Sequence, residues 1–190
     1  FEEIITTKNT KISNFDNTYR YLKNKNKLLW TLDGANGVKT GFTNNAGRCL
    51  VSSAKRDNMQ IICVVLNCGP MFEESAMHIN DCFSKYKMVK LLPAYSYLKN
   101  VNVENSKKTD VKVFTKHSFY YPLTSEEEIL IKTEVNLPDY LIAPLKKEQI
   151  VGELKIYLDN HLLFCEKIYT MEEIKSNRIG DNIKAIISKW

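Results

Sequence analysis

The sequence lacks long apolar runs, paired cysteines and a strong charge of either sign. Its longest unbroken apolar run, residues 61–66, is far shorter than the roughly 20 residues that a membrane-spanning helix needs. The five cysteines are odd in number and contain no CxxC pair, so they indicate neither a disulfide framework nor zinc binding. Most of them are expected to be small buried hydrophobic residues. The net charge of +5 comes without any nucleic-acid-binding motif.

The histidines and the first ten residues also give no functional signal. His78, His117 and His161 are scattered, and none pairs with another at metal-ligand spacing, so each is expected to be an ordinary histidine. Residues 1–10 show neither the basic region nor the apolar segment of a secretory signal, and the first residue is Phe1. The chain is therefore expected to be a mature product or a fragment. With 26% charged and 44% hydrophobic residues, the composition is that of a globular protein.

The first half of the chain combines a glycine-rich loop with β-type and helical patterns. Residues 33–37 predict a turn or loop. Residues 49–54 and 59–66 predict two strands, with Asp57-Asn58 suited to a two-residue hairpin between them. The second run is nearly all apolar, which predicts a strand covered on both faces. Apolar spacings of three and four predict a helix over residues 71–92 that Pro93 ends.

After Pro93 the pattern changes to short alternating segments separated by Asn, Lys, Pro and Asp. This spacing is typical of a small antiparallel β-sandwich or barrel. The predicted strands are residues 101–103, 111–114, 129–132, 134–137, 151–158 and 162–165. The predicted fold class is therefore α+β, with a first domain over residues 1–94, a β-rich second domain over 95–169 and a tail over 170–190.

The tail has an apolar side and cationic residues. This pattern fits a helix packed on its own domain. It also fits an amphipathic anchor at a membrane surface, with Trp and Lys at the headgroup level. Gly180 weakens the middle of this predicted helix. Its apolar residues are Met171, Ile174, Ile179, Ile183, Ile186, Ile187 and Trp190.

The tripeptide Lys39-Thr40-Gly41 lies between the glycine-rich loop and the predicted hairpin. In this context the sequence resembles the serine D-alanyl-D-alanine carboxypeptidases (peptidase S11), which are low-molecular-mass penicillin-binding proteins. Residues 141–152 also look like the second, all-β domain of that family. The matching residues around the tripeptide are Leu28-Leu29-Trp30, residues 37–43, Ala46-Gly47, Leu50-Val51, Ser53-Ala54 and residues 61–66.

The resemblance implies a role for each residue of the KTG element. It places the element on an edge strand of a penicillin-binding or β-lactamase-like α/β domain, beside the active-site cleft. Lys39 and Thr40 would be catalytic and would face the terminal carboxylate of the peptide. Gly41 would let an extended peptide lie close to the strand. The N–H of Phe42 would donate to the oxyanion. No metal or organic cofactor is implied.

The sequence departs from the family pattern at two positions. Asn36 stands where the family usually has Asp, which is expected to alter loop hydrogen bonding but not the chemistry. The family also often has a basic residue upstream of Leu-Leu-Trp that binds the substrate carboxylate. Lys25 is the ungapped match for it, and Lys27 is the nearby rival.

The family's Ser-x-x-Lys and Ser-x-Asn motifs, which precede KTG, are not found before it. Two later Ser-x-x-Lys matches are rejected because they follow KTG. Ser52 and Lys55 lie on a predicted strand, where residues three apart point to opposite faces. Ser84 and Lys87 lie on a predicted helix without a companion motif. This chain alone is therefore expected to be inactive.

The resemblance predicts a parent enzyme that removes the terminal D-Ala from peptidoglycan stem peptides and binds β-lactam antibiotics. It would act at the outer face of the bacterial cytoplasmic membrane, with residues 170–190 at the membrane surface. Two other functions remain open. One is a non-catalytic cell-wall binding or scaffold module. The other is a serine β-lactamase-like hydrolase, which shares the KTG strand but in its simple form has no β-rich second domain.

Overall fold

The computed structural model describes residues 1–13 and 18–178. They fold into two compact units, the first formed by Phe1–Met88 with Pro122–Thr124 and the second by Val89–Tyr121 with the described residues from Ser125 onward. The helices are α1 (Glu2–Thr6), α2 (Leu28–Thr31), α3 (Met71–Lys85) and α4 (Ser125–Glu128). The strands are β1 (Asn9–Ser13), β2 (Tyr19–Lys23), β3 (Ala35–Thr43), β4 (Gly47–Arg56), β5 (Met59–Val65), β6 (Lys87–Leu92), β7 (Tyr97–Glu104), β8 (Asp110–Thr115), β9 (Phe119–Leu123), β10 (Ile131–Asn136), β11 (Tyr140–Ile142), β12 (Ile150–Leu158) and β13 (His161–Thr170).

The first unit is built on an antiparallel sheet in the order β3-β4-β5. The predicted hairpin between β4 and β5 is confirmed, because Arg56 pairs with Met59 across Asp57 and Asn58, which have positive φ of 45° and 64°. These left-handed conformations suit Asp and Asn in a tight hairpin turn. One face of the sheet packs on α2 and α3 through Leu28, Leu32, Leu50, Ala54 and Ile79.

The prediction that β5 is covered on both faces is wrong. Ile61, Cys63 and Val65 pack toward the core, whereas Ile62 and Val64 alternate with them and are 64% and 57% exposed. β5 is an edge strand of its sheet, so only one of its faces meets α3. A continuous apolar run does not itself reveal whether one face or both are covered.

The helix predicted over residues 71–92 ends earlier, at Lys85. Tyr86 is extended, with φ −106° and ψ 140°, and residues 87–92 form β6, which pairs with β9. Over so short a stretch, the apolar residues of 87–92 fit the period of a helix as well as that of a strand. The segment forms a strand because β9 provides hydrogen-bond partners for its main-chain groups. Pro93 therefore follows a strand and ends no helix.

The second unit is a six-stranded curled sheet in the order β10-β12-β13-β8-β7-β11. All its pairs are antiparallel except that β11 runs parallel to β7. The β-rich second domain predicted from the alternating segments is confirmed. Strands β9 and β11 were not predicted, and the segments 129–132 and 134–137 correspond to one strand, β10. The core includes Val111, Val113, Leu154, Ile156 and Ile168.

The predicted tail helix does not form in the described residues 171–178. Ile174 is buried and makes a β-bridge with Leu145, each residue donating its N–H to the other's carbonyl. These hydrogen bonds hold the segment extended against the sheet. The remainder of the predicted helix, residues 179–190, lies outside the described residues. No helix that the structure describes is long and apolar enough to cross a membrane.

The cysteines are less buried than their residue type suggests. All five are free thiols, with Cys165 exposed and Cys49, Cys63, Cys68 and Cys82 half-buried. The prediction that most are buried is therefore wrong, although Cys63 packs against the core of the first unit while remaining partly exposed.

Candidate active site

The KTG element lies on β3, at the edge of the three-stranded sheet. The edge position is the one that the family resemblance implies. In the antiparallel register Lys39 pairs with Val51 and Gly41 pairs with Cys49. Since side chains alternate along a strand, Lys39 and Gly41 share one face of β3, and Thr40 lies on the other.

A cleft of about 830 Å³ opens beside this strand. It brings the KTG element together with both of the basic residues that the sequence left as rivals, Lys25 and Lys27. Sequence reasoning gave no site role to four of its lining residues: Thr43 on β3, Arg48 on β4, and Met71 and Phe72 at the start of α3. The complete lining is Lys25, Lys27, Lys39, Thr40, Gly41, Phe42, Thr43, Arg48, Met71 and Phe72.

The cleft is positively charged. Lys25, Lys27, Lys39 and Arg48 line it, and none of its lining residues is acidic. Lys39 Nζ donates to the Thr40 carbonyl at 2.5 Å, and Lys27 Nζ lies 5.6 Å from the centre of the Phe72 ring. Cations that have no carboxylate partner in the cleft attract anionic ligands and would favour a peptide carboxylate.

Asn26 ties the segment that carries both lysines to the KTG strand. Its side chain is 1% exposed, its Nδ2 donates to the Gly37 carbonyl at 2.8 Å, and its Oδ1 accepts from the Leu28 N–H at 3.1 Å. Both lysines therefore flank a residue that is hydrogen-bonded to β3. Asn26 was not singled out from the sequence, because an Asn in a polar, lysine-rich stretch is usually a surface residue.

Gly37, before the motif, and Gly41, within it, differ in whether the fold requires glycine. At Gly37 φ is +156°, a conformation that favours glycine, and an added Cβ would also lie 2.7 Å from Ile5 Cδ1, so that side chain would have to shift. A Cβ on Gly41 would meet only Cys49 Cβ, at 3.9 Å, which is ordinary contact. The fold therefore does not require glycine at position 41, and the open strand surface there leaves room for a ligand backbone.

The first residues of β3, which the sequence predicted as part of a loop, are held through Asn36, the residue that departs from the family pattern. Asn36 Oδ1 accepts a hydrogen bond from Ser53 Oγ at 2.5 Å. An Asp at this position could accept the same bond. The amide therefore keeps this side-chain link between β3 and β4 without adding a charge.

The structure supports rejection of both late Ser-x-x-Lys matches. Ser52 is buried and its Oγ donates to the Cys63 carbonyl at 3.3 Å, whereas Lys55 is exposed. Ser84 Oγ donates to the Asp81 carbonyl at 2.7 Å, and Lys87 lies on β6 beyond the end of α3. Ser84 and Lys87 are therefore not one helical turn apart, as the predicted helix would have allowed.

Comparison with known proteins agrees with this geometry. Residues 1–69 match the family described as D-alanyl-D-alanine carboxypeptidase, and residues 86–176 match the C-terminal domain of penicillin-binding protein 5. Together the two matches cover well over half of the chain, in the order that the sequence resemblance implies. Residues 1–69 thus match the D-alanyl-D-alanine carboxypeptidase family. The match of residues 1–69 includes the whole KTG strand.

Individual members of the carboxypeptidase family are similar over most of this chain. D-alanyl-D-alanine carboxypeptidase DacF of Bacillus subtilis (strain 168) is 29% identical over 175 residues, which are 90% of this chain and 45% of that protein. DacD from Francisella tularensis has a crystal structure that superposes with a TM-score of 0.57 at 32% identity, covering 84% of this chain and 41% of that one. The chain thus spans less than half the length of these relatives.

Penicillin-binding protein 5 from Haemophilus influenzae supports the fold. Its crystal structure gives a TM-score of 0.64 at 24% identity and covers 92% of this chain and 51% of that one.

Proposed function

We propose that this chain supplies the KTG side of the active site of a serine D-Ala-D-Ala carboxypeptidase that acts on peptidoglycan stem peptides. The observation that carries this proposal is the position of Lys39-Thr40-Gly41 on an edge strand that lines a cleft with cationic and no acidic side chains. Such a cleft suits a substrate that ends in a free carboxylate. The match of residues 1–69 to the carboxypeptidase family supports the same reaction.

In the proposed reaction, a serine attacks the carbonyl of the penultimate D-Ala, the terminal D-Ala leaves, and water hydrolyses the acyl-enzyme. Lys39 would provide positive charge near the nucleophile and the substrate carboxylate, and the Thr40 hydroxyl would donate to that carboxylate. The Phe42 N–H would stabilise negative charge on the attacked carbonyl oxygen. Lys25 or Lys27, in the segment before α2, would also bind the substrate carboxylate. β-Lactam antibiotics would acylate the same serine.

The proposed domain organisation assigns residues 1–94 to the C-terminal portion of the catalytic domain and residues 95–169 to the β-rich second domain. The family's substrate lies in the cell wall, so the proposed working compartment is the outer face of the bacterial cytoplasmic membrane. The nucleophilic serine and the Ser-x-Asn motif would lie in the part of the complete protein that corresponds to the region of the relatives that this chain does not span.

The 190-residue chain by itself is expected to release no D-alanine from an acetylated peptide that ends in D-Ala-D-Ala. The reason is that neither Ser-x-x-Lys pair forms a serine–lysine dyad at the cleft. The measurement is enzymatic quantification of free D-alanine, with Ser84→Ala as the matched variant. Release that persists in Ser84→Ala would show that another nucleophile acts in this chain.

The chain is also expected to bind anionic vesicles reversibly through residues 179–190. This segment contains Ile183, Ile186, Ile187 and Trp190 together with Lys184 and Lys189. Lysines near an anionic bilayer contribute up to about 1 kcal/mol each, and salt screens this attraction. Co-sedimentation at low and high salt, with a chain ending at Arg178 as the comparison, measures it. Equal sedimentation of the two chains would contradict a membrane role for the tail.

A further inference from the structure

The six-stranded sheet of the second unit carries a row of three aromatic residues and one isoleucine across four neighbouring strands. Tyr97 on β7 pairs with Phe114 on β8, and Phe114 pairs in turn with Tyr169 on β13. Ile150 on β12 pairs with Tyr169 and completes the row. Residues that pair directly across antiparallel strands lie on the same face of a sheet, so these four side chains form one surface, the aromatic row.

The aromatic row lies on the face of the sheet opposite the hydrophobic core. Side chains alternate between the two faces along a strand. Val113 precedes Phe114 and belongs to the core, and Ile168, which precedes Tyr169, belongs to it as well. The rings of Phe114 and Tyr169 therefore point to the other face of the sheet.

The centre of the row is packed, and its two ends are open. The Phe114 ring is only 6% exposed, because its centre lies 6.3 Å from that of Tyr95 and 6.1 Å from that of Tyr169. Tyr95 extends the row and is nearly parallel to Phe114, at 17°. In contrast, Tyr95, Ile150 and Tyr97 are 72%, 57% and 54% exposed. An exposed apolar patch with a polar rim is typical of an interaction site.

Polar groups form the rim of the row. Tyr97 Oη donates to Asn100 Oδ1 at 3.0 Å, and Asn100 Nδ2 donates to Asp110. Lys116 Nζ lies 4.4 Å from the centre of the ring on β13 and donates to Glu148 Oε2 at 2.6 Å. Because Lys116 is paired with Glu148, the rim offers hydrogen-bond donors and acceptors without an excess of positive charge.

This combination of aromatic rings and a polar rim suits pyranose sugars. A pyranose with equatorial substituents has an apolar C–H face that packs on an aromatic ring, and its hydroxyl groups need donors and acceptors around that ring. The row covers three strand spacings of about 4.8 Å each, about 14 Å in all, which suits several linked sugars. A nucleic acid or an anionic bilayer would instead be attracted by unpaired positive charge.

We propose that the aromatic row is a glycan-binding face, and that its ligand is an extended strand of β-linked pyranose sugars. The identification of this strand with the cell-wall glycan rests on the proposed function, because the stem peptides of peptidoglycan are attached to that polymer. The sugar-binding chemistry of the face is independent of the cleft. Binding of the glycan by the second unit would raise the local concentration of stem peptides for the catalytic unit.

The test uses a sugar probe without a peptide, a β-linked tetramer of N-acetylglucosamine, which has no carboxylate for the cleft to bind. It is titrated into the isotope-labelled 190-residue chain. We expect saturable shifts of the Phe114 and Tyr169 backbone amides and none at Gly41. Tyr95→Ala and Tyr97→Ala should each raise the Kd about three- to tenfold, since each removes one stacked aromatic contact.

Two further variants control for the loss of a surface tyrosine. Tyr95→Phe keeps the stacking ring and should bind the sugar as tightly as the unmodified chain. Tyr120→Ala removes an exposed tyrosine from β9, outside the six-stranded sheet, and should also leave the Kd unchanged. Coinciding circular dichroism spectra show that the variants share one fold.

The outcomes separate this inference from the proposed function. Unshifted Phe114 and Tyr169 amides in a large excess of the sugar would overturn the glycan-binding face, whereas D-alanine release by the complete protein would still support the proposed function. Shifts confined to Gly41 and Phe42 would also overturn it, because the sugar would then bind at the cleft. Dimerisation in sedimentation experiments that Tyr95→Ala abolishes, without any sugar binding, would identify the row as a contact between two copies instead.

Discussion

Replacing Lys39 with alanine in the complete protein is expected to lower acylation about ten- to a hundredfold, with little change in the free energy of unfolding. The side chain is exposed, and its Nζ contacts only the carbonyl of the next residue, Thr40, so the fold loses little without it. The substrate, in contrast, loses a charge-assisted contact worth about 1.5–3 kcal/mol. The rate of labelling by a fluorescent penicillin measures the effect.

Lys55→Ala is the matched control for this experiment. Lys55 is an exposed lysine on β4 of the same sheet and does not line the cleft, so its loss removes the same charge from the protein without touching the proposed site. Labelling should remain at the unmodified rate. Unchanged labelling of Lys39→Ala, with both variants equally stable, would contradict the role assigned to Lys39.

The second large effect is expected at Asn26, where alanine should lower the free energy of unfolding by about 2–4 kcal/mol. The substitution leaves the buried Gly37 carbonyl and the Leu28 N–H without their partners. An unsatisfied buried polar group costs about 1–3 kcal/mol. Urea denaturation followed by circular dichroism provides the measurement.

Two further variants sharpen the Asn26 experiment. Asn26→Asp keeps the oxygen that accepts from Leu28 but places a carboxylate against the Gly37 carbonyl, so it should be no more stable than Asn26→Ala. Asn45→Ala, at an exposed turn position, should be nearly neutral. A loss below about 0.5 kcal/mol for Asn26→Ala would mean that water replaces these hydrogen bonds and that the segment is not anchored through Asn26.

The features that the sequence predicted correctly are those set by local signals. The β4–β5 hairpin follows from Asp57-Asn58, which tolerate the left-handed conformations that a two-residue turn requires. The β-rich second unit follows from strand alternation and turn residues. The KTG strand was recognised because its motif lies between a glycine-rich stretch and a hairpin, among further residues that match the family pattern.

The features that were missed depend on tertiary partners. Residues 87–92 form a strand because β9 is available to pair with them, and nothing within that segment encodes this partner. Arg48 joins the cleft because the β3–β4 register places it opposite Phe42. Ile174 was assigned to a helix by its spacing, yet its main chain pairs with Leu145, a residue distant in sequence. In each case the pattern of apolar and polar residues along the chain does not specify the tertiary partner.

The central claim, that the KTG strand belongs to a D-Ala-D-Ala carboxypeptidase, is tested most directly by following one substrate and one inhibitor with the complete protein. The substrate is an acetylated peptide ending in D-Ala-D-Ala, and the inhibitor is a fluorescent penicillin. We expect stoichiometric release of the terminal D-alanine and a stable covalent penicillin adduct, both reduced in Lys39→Ala. Rapid hydrolysis of the penicillin without D-alanine release would contradict the claim and identify a β-lactamase-like hydrolase instead.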